Sequence, residues 1–255
     1  VPKDYDQTKP TPLRVLLHGY GANGSGQTTY FRLAALADRK TFLLAAPNGT
    51  VDRTGRQFWN ATDSCCDIYG NGVDDVAYLG ALIADVQRRF NVDPKRIWIV
   101  GHSNGGFMAH RLACELSDRI AGIVSLAGAA WKDPTRCGDG AGVAVLQVHG
   151  DADLVIAYDG GRPSGSPSLP PHPSARDSVA QWATRNGCAA ALTPVSDRLD
   201  LDTNVAGAET RVDRHLNCAR GAAELWTMEK SGHIPGLNAT WPEAIYGFLQ
   251  AHPKP

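Results

Sequence analysis

A serine flanked by glycines follows a short apolar run near the middle of the chain. Residues 97–100 are apolar and mostly β-branched, which is typical of a buried strand. The next five residues, Gly-His-Ser-Asn-Gly at 101–105, fit the pattern Gly-x-Ser-x-Gly, and 107–116 has the composition of a helix. A strand, this pentapeptide and a helix in that order form a sharp turn that exposes a nucleophilic hydroxyl. Ser103 is therefore the candidate nucleophile, and an ordinary glycine-rich turn is the alternative.

A serine hydroxyl becomes a good nucleophile when a base takes its proton, and that base is usually a histidine oriented by a carboxylate. After such a turn the acid and then the histidine follow along the chain, each on a loop beyond a strand. Of the eight histidines, only His233 satisfies both the order and the position. The loop 149–153 supplies Asp151 and Asp153 as candidate acids. Asp153 lies further out and has more room to reach a histidine, whereas Asp151 could simply cap the turn.

Two backbone N–H groups are needed to hold the negative oxygen that forms when a serine attacks a carbonyl. One should come from Asn104, directly after the serine, and the other from the glycine-rich loop 18–21, with Tyr20 as first choice. Trp59, in a long loop, and His102, beside the serine, are the candidate substrate-binding residues. For Trp59 a core position is an equally good prediction. His102 lies beside a glycine at a strand end, which is also typical of a residue that supports a loop.

Strands and helices alternate along the chain. The predicted strands span 13–17, 42–46, 97–100, 120–126, 143–148 and 225–228, and the predicted helices span 29–39, 73–90, 107–116, 174–186 and 241–251. This alternation predicts a mostly parallel central sheet with helices on both faces, in a single catalytic domain over residues 1–255. Alternating polar and apolar residues over 195–216 predict an antiparallel extension.

Composition excludes several classes of partner. The chain has 25 basic and 26 acidic residues without a basic stripe, so nucleic acid is not expected to bind. No apolar run approaches the roughly 18 residues of a membrane span, so no membrane partner is expected. No His/Cys group has zinc spacing. Asp151 and Asp153 beside His149 resemble metal ligands, but no oxygen-ligand loop pattern follows, so we predict neither a metal nor a cofactor. We expect a monomer.

The six cysteines form an even set without a Cys-x-x-Cys motif. We therefore predict a disulfide-bonded protein that is secreted to the periplasm or the outside of the cell. Numbering starts at Val1 without an initiator methionine, which a removed signal peptide would explain. Six free thiols in a cytosolic protein are the alternative.

One bond is predicted between Cys188 and Cys218, because it would staple the antiparallel extension. In an extended chain adjacent side chains point to opposite sides. Cys65 and Cys66 are therefore expected to bond different partners rather than each other. Those partners are the remaining two cysteines, Cys114 and Cys137, in an order that the sequence leaves open.

The chain resembles the polyhydroxybutyrate-depolymerase-type esterases of the α/β-hydrolase superfamily, a group that also contains feruloyl and related cell-wall esterases. The resemblance covers nearly the whole chain. Its motifs here are Leu17-His18-Gly19, Phe58-Trp59-Asn60, Val73-Asp74-Asp75-Val76, Gly101-His102-Ser103-Asn104-Gly105-Gly106, Tyr158-Asp159-Gly160-Gly161 and Gly232-His233. It implies the α/β-hydrolase fold and favours Asp153 over Asp151 as the acid.

The resemblance also implies a serine carboxylic-ester hydrolase that works through an acyl-enzyme intermediate. Small-molecule or polymeric esters would be its substrates. Aliphatic polyester or hydroxyalkanoate esters are the first expected substrate class. Feruloyl or acetyl esters of plant cell-wall polysaccharides are the alternative, and peptides are a distant third. A hydrolase-fold binding protein with a dead site is the rival from another class. The intact set of Ser103, Asp153 and His233 argues against it.

Overall fold

A computed structural model describes all 255 residues and contains one eight-stranded sheet and one two-stranded sheet. The strands, numbered in chain order, are β1 Thr11–Leu17, β2 Leu43–Ala45, β3 Thr50–Val51, β4 Gln57–Phe58, β5 Val92–His102, β6 Gly122–Leu126, β7 Ala144–Gly150, β8 Leu192–Pro194, β9 Thr210–His215 and β10 Ala222–Met228. The α-helices are α1 Gly24–Phe31, α2 Leu33–Lys40, α3 Asp75–Arg89, α4 Asn104–Glu115, α5 Ala175–Asn186 and α6 Thr240–Ala251. None of these helices is both long and apolar enough to cross a bilayer.

The large sheet has the strand order β2-β1-β5-β6-β7-β10-β9-β8. The first six of these strands pair in parallel, and β9 and β8 add two antiparallel strands at one edge. The predicted parallel sheet is therefore confirmed, and so is an antiparallel extension. The segment 195–209, which connects β8 to β9, forms no strand of its own.

Hydrophobic residues pack on both faces of the sheet, because strands β1, β6, β7 and β10 are buried along their whole length. One core contains residues of α3, α4 and α5, and the other contains residues of α1, α2 and α6. Strand β1 contributes to both cores, with Val15 on one side and Leu16 on the other. These two layers hold the strand ends, where the candidate residues lie, in a rigid frame.

The segment predicted as one helix over 29–39 forms two helices instead. Helices α1 and α2 are separated by Arg32, whose φ of 56° lies in the left-handed region. Helix α1 begins earlier than predicted because Asn23 caps it by accepting a hydrogen bond from the backbone N–H of Gly26 at 2.8 Å. Its sequence has almost no apolar periodicity, so the hydrophobic pattern did not indicate it.

Trp59 is a core residue, and its prediction as a substrate-binding residue is wrong. Its side chain is fully buried, and its indole Nε1–H donates to the carbonyl of His18 at 3.0 Å. Its backbone N–H donates to Asn104 Oδ1 at 2.7 Å, and its carbonyl accepts from Asn104 Nδ2 at 2.8 Å. The long loop is therefore bound both to the end of β1 and to the start of α4, which leaves no face of the ring for a substrate.

The chain has no free cysteine. The predicted bond between Cys188 and Cys218 is confirmed, and it joins the end of α5 to the start of β10 across the antiparallel extension. The bond therefore fastens the edge strands β8 and β9, which make few contacts with the helices.

The expected partners of the adjacent cysteines are wrong. Cys65 bonds Cys66, and Cys114 bonds Cys137. The prediction assumed an extended chain, but backbone hydrogen bonds in both directions between Thr62 and Cys65 close a tight turn there. Cys114 and Cys137 have their Cα atoms 5.4 Å apart, within the usual range for a disulfide.

Removing the bond at the extension should destabilise the chain. The variant with Cys188→Ser and Cys218→Ser should lose about 3–4 kcal/mol of unfolding free energy, since the bond closes a loop with a sequence separation of 30. Denaturant titration measures this loss. Thiol counting in denaturant without reductant is the control on the wild type. It should give nearly no free thiols, and a count near six would contradict all three bonds.

Truncating Trp59 should affect stability rather than substrate binding. Trp59→Ala should lower the unfolding free energy by about 3–5 kcal/mol, because it leaves a cavity and removes the indole bond to the His18 carbonyl. At a temperature where the variant stays folded, its KM for a small ester should equal that of the wild type. Unchanged stability together with a raised KM would instead indicate a substrate contact.

Candidate active site

Ser103 lies on a strained turn between β5 and α4, with a φ of 54° and a ψ of −121°. A Cβ at Gly101 would overlap the carbonyl oxygen of Gly105, and a Cβ at Gly105 would overlap the carbonyl oxygen of Leu17. Both positions therefore require glycine. Ser103 is partly exposed at the end of the strand and borders a cavity, so its hydroxyl is accessible, as a nucleophile on such an elbow must be.

The structure brings Ser103, His233 and Asp153 into one hydrogen-bonded chain. Ser103 Oγ lies 2.9 Å from His233 Nε2, and His233 Nδ1 lies 2.7 Å from Asp153 Oδ2. These residues follow the parallel strands β5, β10 and β7, whose carboxyl ends meet at one edge of the sheet. With its proton on Nδ1 facing the carboxylate, the imidazole presents Nε2 as an acceptor. It can therefore take the proton of the serine hydroxyl.

The carboxylate of Asp153 is buried and fully engaged. Its Oδ1 accepts the backbone N–H groups of Val155 at 2.8 Å and Ile156 at 2.9 Å, and its Oδ2 also lies 3.4 Å from His149 Nε2. Burial by itself raises the pKa of Asp153. Hydrogen bonds from His149 and His233 outweigh that effect and hold the pKa well below its usual range. The group is consequently ionised wherever the enzyme would operate.

Asp151, the alternative acid, makes a different contact. It is exposed, and its Oδ1 accepts the backbone N–H of Lys230 at 2.6 Å. This bond ties the end of β7 to the loop after β10. Asp151 therefore caps a turn, and it is not the carboxylate that meets His233.

Two backbone N–H groups flank the candidate nucleophile. The N–H of Tyr20 has no protein acceptor, and the N–H of Asn104 begins α4, where helix geometry supplies no partner. The preceding loop residue, Gly19, is so close that a Cβ there would lie 3.5 Å from the Cβ of Ser103. Both N–H groups predicted to bind an oxyanion are thus free and next to the serine.

A cavity of about 280 Å³ opens beside Ser103 and His233. Its wall includes the aromatic rings of Tyr20 and Tyr30, together with Ile234. A larger cavity, of about 620 Å³, lies elsewhere between α5 and the segment 130–137 after β6, and neither Ser103, His233 nor Asp153 borders it. Chemistry requires contact with the nucleophile, so we assign the smaller cavity as the candidate substrate pocket.

His102, the second candidate substrate-binding residue, borders this pocket but has another contact. Its Nε2 lies 2.9 Å from the backbone carbonyl of His233. Burial, followed by the nearby charge of His233, lowers the pKa of His102 to about 4. The ring is therefore neutral, and an Nε2–H can donate to that carbonyl and hold the His233 backbone.

Two residues that the sequence did not indicate also contact the loop 231–237, which carries His233. The hydroxyl of Tyr30 donates to the carbonyl of Pro235 at 2.8 Å, and Asp202 accepts hydrogen bonds from the same loop. Neither residue belongs to a motif. The only signal in the sequence is that Asp202 is an acidic residue inside the segment 195–216, which was predicted to extend the sheet.

A family model for phospholipases and carboxylesterases matches residues 5–164. The chain is 28% identical over 245 residues to NocK of Nocardia uniformis subsp. tsuyamanensis, which carries an esterase designation. That match covers 94% of this chain and 68% of NocK. The chain is 27% identical over 240 residues to feruloyl esterase B of Piromyces equi. That match covers 92% of this chain but 42% of the relative, so the chain spans under half of that protein.

A solved structure has the same fold. Acetyl xylan esterase from Aspergillus awamori superposes with a TM-score of 0.65 at 13% identity, over 97% of this chain and 92% of that one. The predicted α/β-hydrolase fold is thereby confirmed. Because the family match covers more than half of the residues, the chain belongs to the phospholipase/carboxylesterase family and is a carboxylic ester hydrolase.

Proposed function

We propose that this enzyme hydrolyses esters through an acyl-enzyme intermediate on Ser103, with His233 as base and Asp153 as its orienting acid. The observation that carries the proposal is the hydrogen-bonded chain, 2.9 Å from Ser103 Oγ to His233 Nε2 and 2.7 Å from His233 Nδ1 to Asp153 Oδ2. Both distances lie within the reach needed for proton transfer.

The reaction proceeds in two halves. His233 Nε2 takes the proton of Ser103 as Oγ attacks the ester carbonyl carbon, and the N–H groups of Tyr20 and Asn104 bind the resulting oxyanion. His233 then gives its proton to the departing alcohol oxygen, which leaves the acyl group on the serine. A water molecule attacks the carbonyl carbon of this acyl-enzyme while His233 takes a proton from the water. His233 then gives that proton to Ser103 Oγ, which releases the acid and restores the serine. Asp153 remains ionised and stabilises the imidazolium at each stage.

For the substrate we propose hydroxycinnamoyl esters of plant cell-wall polysaccharides, with acetyl as a smaller acyl group. The Piromyces relative is a feruloyl esterase, and the fold neighbour is an acetyl xylan esterase. The pocket of about 280 Å³ is just below the roughly 300–1,000 Å³ that is usual for ligand sites. Such a pocket suits one aromatic acyl group, and the rings of Tyr20 and Tyr30 can pack against it.

Aliphatic polyester is the second candidate substrate. Leu154, which follows Asp153, is 89% exposed, and Ile234, which follows His233, is 67% exposed. Large apolar side chains at this position could contact an apolar polymer surface. The relatives favour polysaccharide esters, so polyester is placed second.

We further propose that the enzyme works outside the cytoplasm. All six cysteines are bonded in three disulfides. Such bonds persist in secreted and periplasmic proteins and are rare where thiols are kept reduced.

Removing the nucleophile should abolish turnover. Ser103→Ala should lower kcat for p-nitrophenyl acetate by about 10⁴-fold or more, as in other triads, with an unchanged circular dichroism spectrum. Asp153→Asn should be far more damaging than Asp151→Asn, because only Asp153 contacts His233. Activity close to wild type in Ser103→Ala would contradict the mechanism. The reverse order of the two aspartate variants would make Asp151 the acid.

The acyl group can be tested with a matched pair of pocket variants. Gly26 borders the pocket and has room for a side chain, whereas its exposed neighbour Ser25 does not border it. Gly26→Leu should lower kcat/KM for methyl ferulate at least about tenfold, the effect of a methylene-sized clash, and leave p-nitrophenyl acetate nearly unchanged. Ser25→Leu is the control and should change neither rate.

A set of ester substrates decides between polysaccharide esters and aliphatic polyester. Wild-type enzyme should hydrolyse methyl ferulate and feruloylated polysaccharide and release little product from a polyhydroxybutyrate film. Rapid hydrolysis of the film without activity on methyl ferulate would replace the proposed substrate with polyester.

A further inference from the structure

The loop 231–237 is bound on both sides of His233 by one buried carboxylate. Asp202 lies in the connection between β8 and β9 and is 1% exposed. Its Oδ2 accepts the hydroxyl hydrogen of Ser231 at 2.7 Å, and its Oδ1 accepts the backbone N–H of Gly236 at 2.7 Å. We infer that Asp202 is a positioning residue, which sets the place of His233 opposite Ser103. The inference rests on the proposed role of His233 as base.

The surroundings of Asp202 make it a rigid anchor. Its Oδ1 also accepts the backbone N–H of Asn204 at 2.9 Å, and its own N–H donates to the buried Glu209 at 3.2 Å. No cation pairs with it, so its two oxygens serve only hydrogen-bond donors. The backbone N–H of Thr203 donates to the carbonyl of Gly236 at 2.8 Å, which adds a second link to the same loop.

An acid suits this position better than an amide of the same shape. Asp202 uses one oxygen for Ser231 and the other for Gly236, and both partners donate. An asparagine keeps a single acceptor oxygen, and with that oxygen on Gly236 its NH₂ group would face Ser231. The Ser231 hydroxyl would then have to turn and accept, so its own buried hydrogen would lose its acceptor. The loop would then shift on that side. Misplacement of a catalytic group by about 1 Å can cost about 10²-fold in rate.

Other contacts should keep the loop folded when Asp202 is changed. Tyr30 donates to the carbonyl of Pro235, and His102 contacts the carbonyl of His233 at 2.9 Å. Burial, and secondarily the charge of Asp202, raises the pKa of Tyr30 beyond its usual range, so its hydroxyl remains a donor. The loss of Asp202 is therefore expected to displace His233 within a folded enzyme.

The test compares Asp202→Asn with Asp200→Asn, which changes an exposed carboxylate two residues away. Asp202→Asn should lower kcat for p-nitrophenyl acetate about 10²-fold and leave KM within about twofold. The rate at which a fluorophosphonate labels Ser103 should fall in parallel, because labelling also requires His233 as base. Asp200→Asn should match the wild type in all three measurements. A purely structural role would lower the melting temperature without this split between kcat and KM.

Ser231→Ala serves as a second variant that removes a single contact of Asp202. It should lower kcat and the labelling rate by a smaller factor, about tenfold, even if Asp202→Asn fails to fold. If both variants fold and keep the wild-type kcat and labelling rate, the inference is overturned and the proposed mechanism stays intact. If Asp202→Asn does not fold, the same result in Ser231→Ala alone overturns it. A wild-type enzyme that the fluorophosphonate never labels would contradict the mechanism and the inference together.

Discussion

The close approach of the first turn of α4 to the end of β1 is the contact on which the site depends. Gly105 packs against the Leu17 carbonyl so tightly that no other residue fits, and Asn104 binds both backbone groups of Trp59. Next to this contact Ser103 has its positive φ, and Gly19 lies beside it. The nucleophile and the two free N–H groups are therefore fixed by one packing contact before any substrate arrives.

The parallel sheet supplies the second half of the site. Strands β7 and β10 are neighbours, and their carboxyl ends present Asp153 and His233 at the same edge as Ser103. The histidine loop is longer and less covered than the serine turn, and its support comes from distant elements. Tyr30 reaches it from α1, and Asp202 reaches it from the antiparallel extension. The extension, closed by Cys188–Cys218, is therefore also a support for the base.

The local surface around the catalytic chain combines two chemical characters. Aromatic rings line a small pocket next to the nucleophile, and exposed aliphatic side chains follow the acid and the base. The aromatic pocket supports the proposed hydroxycinnamoyl group. The exposed aliphatic side chains support the second candidate, an apolar polyester.

The sequence by itself determined the alternation of most strands and helices, the parallel sheet and the identity of Ser103, Asp153 and His233 as candidates. These follow from local patterns: apolar periodicity, glycine spacing and the chain order of loops. Tertiary structure decided that Trp59 is core, that Cys65 bonds Cys66, and that Asp202 contacts the histidine loop. Each of these depends on which distant segments meet or on a local turn without a motif, and neither leaves a periodic signal in the chain.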